Sequence, residues 1–571
     1  MRHFLRSATQ KLDRQAGRFA AEESGVMAPQ ILFFFFLMLL VGGVAIDFMR
    51  FETKRVALQN TMDRATLAAA SLEQTLVPVD VVNDWFDKAG LEEDLDSVTI
   101  DEGTNYRIVQ AKATTKSKNF FMSMMDIPYL ESQNRSQAEQ RINDIEIMLV
   151  LDVSGSMASN SKIQNLKIAA HDFIDTVTAN DPEGRISIGI IPYNAQVNLG
   201  NTLAAKYTAS YNHGVSNAKC FELPSGVFNS LALSRSTAFP MMAVADTQGG
   251  TNQFNQYVAL TDTDYATPGN TAARRWCNPS TKIDVTLPTK NKTSLHSAID
   301  DLVAEGNTSI LLGMRWATAL LDPGAQSLYT SLINDGAMAS NMSGRPFTYD
   351  SNEAMKVVVL MTDGEHVAHG RVVDAYKTGT SPIWRANDAY LSIFHSSKVN
   401  NSTSTTICNS RPFYVPHLNA WHSRPWNGTT PNATACYSPT ATYTNTTRQS
   451  WEQVWARARV SWVAWQLYAR ALGTTNTTRT NTYNAQMAAM IQTYQSVSSM
   501  NSLLSSNCSK ARDEGILIYG IAFEAPSNGK TAISDCASKP GSTYFFDANG
   551  LEIQTAFQLI AANLSQLRLT Q

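Results

Sequence analysis

VLDVSGSMASN, running from Val150 to Asn160, decides how the whole chain is read. The apolar run that leads into it, Ile145 to Leu151, has the composition of a strand buried on both faces. It stops abruptly at Asp152, and Ser154, Ser156 and Ser159 follow. Next, SKIQNLKIAAHDFIDTVTA places Ile163, Leu166, Ala170, Phe173, Ile174 and Val177 on one helical face. A carboxylate and alternating serines thus occupy the turn between a core strand and an amphipathic helix.

The same alternation continues outward. RISIGIIPY (Arg185 to Tyr193), KVVVLMTD (Lys356 to Asp363) and ILIYGIAF (Ile516 to Phe523) read as further apolar strands, and LEIQTAFQLIAANLSQLRL closes the chain as a helix. Apolar strands separated by helices predict an α/β fold: a doubly wound, mainly parallel sheet covered on both faces, over residues 144–571. Two long stretches interrupt it, at about 194–290 and 366–507. The second is rich in Asn, Thr and Ser without periodicity, the pattern of a functional or mobile loop. All six cysteines lie in this part: Cys220, Cys277, Cys408, Cys436, Cys508 and Cys536. An even number at wide spacing, with no CxxC pair, fits disulfides in an oxidising compartment. A cross-link within each insertion would limit its disorder, which favours sequential pairing: Cys220–Cys277, Cys408–Cys436 and Cys508–Cys536.

The N-terminal part differs. Val26 to Ile46 carries no charge over 21 residues. At about 1.5 Å per residue it reaches roughly 31 Å, enough to cross a bilayer core and too long for a signal-peptide core. The expected organisation is a cytoplasmic N-terminus over 1–25, a transmembrane helix over 26–46 and an extended helix over 47–77. Val56, Met62, Leu67 and Ala70 mark that last helix's stripe, and a small αβ module follows over 78–143. Lys and Arg flank both sides of the span, so the cysteines orient it, with the large C-terminal part outside the cytoplasm. A formal net charge of -3 on 571 residues, with no basic stripe, gives no nucleic-acid footprint.

In a sheet of this kind ligands bind at the carboxyl ends of the strands. Asp152 and Asp363 both end strands and face one crevice if those strands are neighbours. Ser154 and Ser156, two residues apart, can converge, and EGNTSILLGMRWATALL (Glu305 to Leu321) sets Thr308 just before another helix. Carboxylate and hydroxyl oxygens make a hard-oxygen site suited to Mg²⁺. A turn without metal is the bland alternative, with Asp152 capping the loop and the serines satisfying backbone donors. It leaves Thr308 and Asp363 at the other strand ends unexplained.

DVSGSM, then GNTS leading into a helix, then LMTDGE resembles the metal-ion-dependent adhesion site of a von Willebrand factor A domain. The resemblance implies that Ser154, Ser156 and Thr308 coordinate through hydroxyls, and that Asp152 and Asp363 bind directly or through water. ESGVMAPQILFFFFLMLLVGGVAIDFMRFETKRVALQNTMDRATLAAAS is similar to the start of TadE/TadG-like Flp pilus-assembly proteins, whose TadG-like members often carry a von Willebrand A domain. Processed pilin-like proteins have Glu five residues after the cleavage glycine. Gly25 is followed there by Gln30, which argues against cleavage.

The rival enzyme is a penicillin-binding-type serine acyltransferase. Ser159 to Lys162 is S-x-x-K, Ser210 to Asn212 is S-x-N, and Lys377 to Gly379 is KTG. Chance supplies such short matches in a chain of this length, and Lys162 fits as an exposed first-turn residue of its helix. His366 and His369 read as a loop pair at the metal rim or in solvent, and VWARARVSWVAWQLYARAL (Val454 to Leu472) as a core helix or a partner surface. No P-loop motif occurs. The expectation is therefore a non-enzymatic, single-pass protein of a bacterial inner membrane, its large domain periplasmic. It would tether pilus or secretion-apparatus proteins through Mg²⁺-dependent contact with a partner's acidic side chain. A surface adhesin for a host or matrix ligand is the alternative.

Overall fold

The computed structural model describes residue 17 and residues 27–570, apart from 72–73, 75, 103–105, 142–143, 180, 182–183, 214, 246–254, 261–275, 278, 352–353, 401–405, 430–434 and 540. The proposed cytoplasmic segment 1–25 and its Gly25 fall almost wholly outside them. The chain forms two compact units, one of residues 1–142 with 568–571 and one of residues 143–567.

The first unit begins with one continuous 44-residue helix, α1 (Met27–Ala70). Its apolar first half exposes Ile31 to Val41, and α1 is long and apolar enough to cross a membrane. The second half buries Leu58, Met62, Ala65 and Ala69, spaced four, three and four apart as one helical face. Val56 and Leu67, expected on that face, are exposed instead. The buried stripe packs on Val82 and Phe86 of α2 (Pro78–Ala89) and on Val109, Ala111 and Ala113 of the sheet. That sheet is an antiparallel meander of β1 (Leu95–Glu102), β2 (Tyr106–Lys118) and β3 (Tyr129–Arg141). β3 gives no alternation signal because it is polar almost throughout; it holds its place by pairing with β2 along its full length.

The second unit is built on a six-stranded sheet. In chain order its strands are β4 (Asp144–Asp152), β5 (Ile186–Tyr193), β6 (Thr286–Thr289), β7 (Ala354–Thr362), β8 (Leu517–Phe523) and β9 (Phe545–Ala548). They lie in the order β9-β8-β7-β4-β5-β6; the first five run parallel and β6 pairs antiparallel at the edge. Every residue of β4 is buried, and alternate residues serve opposite faces. Ile145, Ile147, Leu149 and Leu151 pack under α3 (Lys162–Thr178), α4 (Lys292–Asp301) and α8 (Glu552–Thr570). Met148 and Val150 pack under α5 (Ile310–Leu321), α6 (Val497–Asp513) and α7 (Ser527–Cys536). Helices on both faces are why the strand reads as unbroken apolar sequence.

The two interruptions are folded. The first carries a short parallel pair, Ala209–Tyr211 with Phe239–Pro240, and ends in β6. The second, read as an aperiodic loop, contains a five-stranded antiparallel sheet formed by Thr380–Ala386, Leu391–Phe394, Phe413–Val415, Ala420–His422 and Thr446–Ser450. Strands of three to seven residues are too short to show a period above the Asn- and Thr-rich joints. Trp455, Trp462 and Trp465 of the aromatic stretch are buried, so it serves as core. The three disulfides pair sequentially.

Candidate cation site at the strand tips

Because β4 and β7 are paired neighbours, their carboxyl ends bring Asp152 and Asp363 side by side. The β4–α3 turn then folds back over them. Asp152 is fully buried; its Oδ1 accepts the Ser154 backbone N–H at 2.8 Å and its Oδ2 the Thr362 hydroxyl at 2.7 Å. Ser156 Oγ donates to Asp363 Oδ1 at 2.7 Å, and the Ser154 and Ser156 hydroxyls meet at 2.9 Å. Ser154 Oγ lies 3.5 Å from Asp363 Oδ1. Ser156 remains exposed, so the cluster opens to solvent on that side.

The third segment arrives through backbone contacts. Gly155 N–H donates to the Gly306 carbonyl at 2.8 Å, and Glu305 N–H to the Val153 carbonyl at 2.8 Å. Gly306 has φ +88°, and a Cβ there would stand 2.9 Å from Asn194 Nδ2, so this turn requires glycine. Thr308 is buried; a Cβ on Gly364 would stand 3.1 Å from its hydroxyl, and its carbonyl accepts Val367 N–H at 3.0 Å. All five residues singled out in the sequence therefore meet at one place.

Electrostatics make the cluster short of positive charge. Burial, and then the neighbouring Asp363 carboxylate, push Asp152 up to about 7, against the pull of the Thr362 and Ser154 hydrogen bonds. One cation is present that sequence reasoning misplaced. Lys162 is buried, not exposed: its Nζ donates to Asp363 Oδ2 at 3.1 Å and lies 3.6 Å from Glu524 Oε2. Glu524 immediately follows β8, the neighbour of β7, so the strand-tip rule that found Asp152 and Asp363 applies to it as well. The oxygen-only donor set, with two carboxylates facing one lysine, fits a hard divalent cation. Among the described residues no group of three or more His, Cys, Asp or Glu gathers as a metal site, so the cluster's donors are two carboxylates and neutral hydroxyls.

His366 and His369 are buried, contrary to a solvent-exposed loop pair. His366 Nε2 accepts Leu311 N–H at 3.0 Å, capping α5 where Ser309 makes no side-chain cap, and its Nδ1 meets Asn501 Oδ1 at 2.7 Å. Burial lowers its affinity for a proton, as that acceptor role requires. The lysines of the rival acyltransferase motifs are engaged elsewhere. Lys162 is held by Asp363, and Lys377 Nζ donates to Glu222 Oε2 at 2.6 Å.

No curated protein matches the chain. Among solved structures, the von Willebrand factor domain of the type V pili tip protein Mfa5 from Porphyromonas gingivalis aligns over 75% of this chain and 98% of its own, at 12% identity and TM-score 0.29. The adhesive tip pilin GBS104 from Group B Streptococcus agalactiae aligns over 74% and 99%, at 11% identity and TM-score 0.27. The pilus adhesin SpaC from Lactobacillus rhamnosus GG aligns over 82% of this chain and 33% of its own, at 8% identity and TM-score 0.25. At the other end of the chain, residues 25–72 match the family model described as putative Flp pilus-assembly TadE/G-like.

Proposed function

We propose that this is a membrane-anchored pilus-assembly or tethering protein that holds a partner through a Mg²⁺-dependent adhesion site on a von Willebrand A-type, doubly wound domain. The observation that carries it is the convergence of Asp152, Ser154, Ser156, Thr308 and Asp363 at the tips of paired parallel strands. The N-terminal match supplies the pilus context and the apolar half of α1 the anchor. In this reading the three hydroxyls and two carboxylates hold Mg²⁺, and the large unit lies in the periplasm of a Gram-negative-type envelope.

Neutral hydroxyl ligands leave a bound Mg²⁺ electrophilic enough to take a partner's carboxylate at an open position. The chain's own groups do the rest. Thr362 and the Ser154 N–H fix the Asp152 carboxylate, and exposed Ser156 leaves the approach open. In this reading the role is binding.

Pull-down from envelope extracts tests this. Partner capture should require Mg²⁺ and vanish in Asp152→Ala and Ser154→Ala chains that still fold. Capture undiminished in EDTA sinks it. A surface adhesin differs in one respect: its large unit is reachable by protease from outside intact cells.

A further inference from the structure

The hairpin between β2 and β3 ends in a tip that is apolar and turned outward. Phe120 is 60% exposed and Met124 84%, with Phe121, Met125 and Ile127 also exposed. This tip is ordered. Asn119 N–H donates to the Pro128 carbonyl at 3.0 Å, its side-chain amide to the Ile127 carbonyl at 3.0 Å, and Met122–Met125 forms a 3₁₀ turn. A loop tied by its own hydrogen bonds and presenting this much apolar surface to water gains nothing from it.

The tip is fastened to α1 at the height where the apolar run ends. Asp47, the first charged residue after that run, is buried, and its carboxylate accepts the backbone N–H groups of Phe120, Phe121 and Met122 at 3.0, 2.7 and 2.8 Å. One turn earlier, Gly43 leaves a notch for Phe121: a Cβ there would stand 2.4 Å from its ring. One turn later, the Arg50 guanidinium lies 4.4 Å from the centre of the Phe120 ring. Glycine and aspartate at these positions are thus explained by the loop they seat, not by the helix itself.

We propose that the Phe120–Ile127 tip is a second membrane contact, lying in the interfacial layer of the leaflet beside α1. The occupant of this apolar surface is lipid, because the surface is continuous with the apolar half of α1 and shares its level. The bonds to Asp47 serve two ends here: they satisfy backbone donors that lipid could not, and they give a carboxylate at the membrane edge hydrogen-bond partners in place of water. With two contacts, the first unit is held against the bilayer instead of swinging on a single helix. This rests on the reading that α1 spans a bilayer.

The test uses the full chain in phosphatidylethanolamine–phosphatidylglycerol vesicles, with a nitroxide spin label at one of three positions: Met124→Cys, Phe35→Cys in the apolar helix, or Thr99→Cys on β1. Collision with oxygen relative to a water-soluble nickel chelate reports depth. The expected result is a several-fold higher oxygen-to-nickel ratio at 124 than at 99, intermediate between 99 and 35. A deep label at 35 with an aqueous one at 124 overturns the proposal and leaves the anchor intact. An aqueous label at 35 overturns both. A label at 124 shielded from both reagents means that a second copy covers the tip, which also overturns it.

Discussion

Removing the Asp152 charge should stabilise the large unit when no divalent cation is present. Its carboxyl stands at about 7 in the fold against an ordinary value near 3.8. A raised folded value means that the folded state holds a proton the unfolded chain has lost between about pH 4 and pH 7. Stability therefore falls as pH rises through that window and is lowest above it. At about 1.4 kcal/mol for each tenfold change in proton affinity, this is a destabilisation on the order of a few kcal/mol at pH 8. Asp152→Asn keeps an acceptor for the Ser154 N–H and turns an amide toward Thr362, whose hydroxyl then accepts instead of donating. One exchanged hydrogen bond costs about 1 kcal/mol, which leaves a net gain in stability. The assay is denaturant unfolding of the detergent-solubilised chain in EDTA from pH 5 to pH 8, following the transition of the second unit. The wild type should lose stability across that range and Asp152→Asn should not, and added Mg²⁺ should restore the wild type alone. A variant less stable than the wild type in EDTA at pH 8 would refute the electrostatic reasoning.

Three further outcomes follow from the same packing. Lys162→Met leaves Asp363 and Glu524 without their cation and should cost about 3–5 kcal/mol in EDTA, with Mg²⁺ recovering more of the loss than it adds to the wild type; equal losses with and without Mg²⁺ would count against a shared cation role. Glu146→Gln breaks the buried pairs to Lys356 (2.6 Å) and Arg345 (3.5 Å), near the opposite end of β4 from the site, and should cost about 3 kcal/mol by denaturant titration without changing Mg²⁺ binding. Replacing both Cys508 and Cys536 by Ala opens a cross-link over 28 residues between two buried positions, which should lower stability by about 4 kcal/mol in the same titration.

The parts legible in the sequence are those where one physical rule acts alone. β4 is buried on both faces, so its apolar run and the acid at its tip are readable, whereas the pairing of β4 with β7, on which the meeting of Asp152 and Asp363 depends, comes from the structure alone. The burial of Lys162 is not legible because the first helical turn usually faces water, whereas here the neighbouring strand tips supply Asp363 and Glu524. The buried stripe of α1 was shifted to Leu58, Met62, Ala65 and Ala69 because its partner, the meander, includes β3, a strand with no apolar pattern to announce it. The five-stranded sheet was hidden for a similar reason. Its strands are short, and long-range pairing between Thr380 and Ser450 leaves no local period.

Whether the strand-tip cluster binds a divalent cation is decided by calorimetric titration of Mg²⁺ into the purified full chain. Saturable heat at one site is expected, abolished in Asp363→Ala and in Ser156→Ala and unchanged in Glu146→Gln. No saturable heat, or the same heat in Asp363→Ala as in the wild type, would contradict binding there.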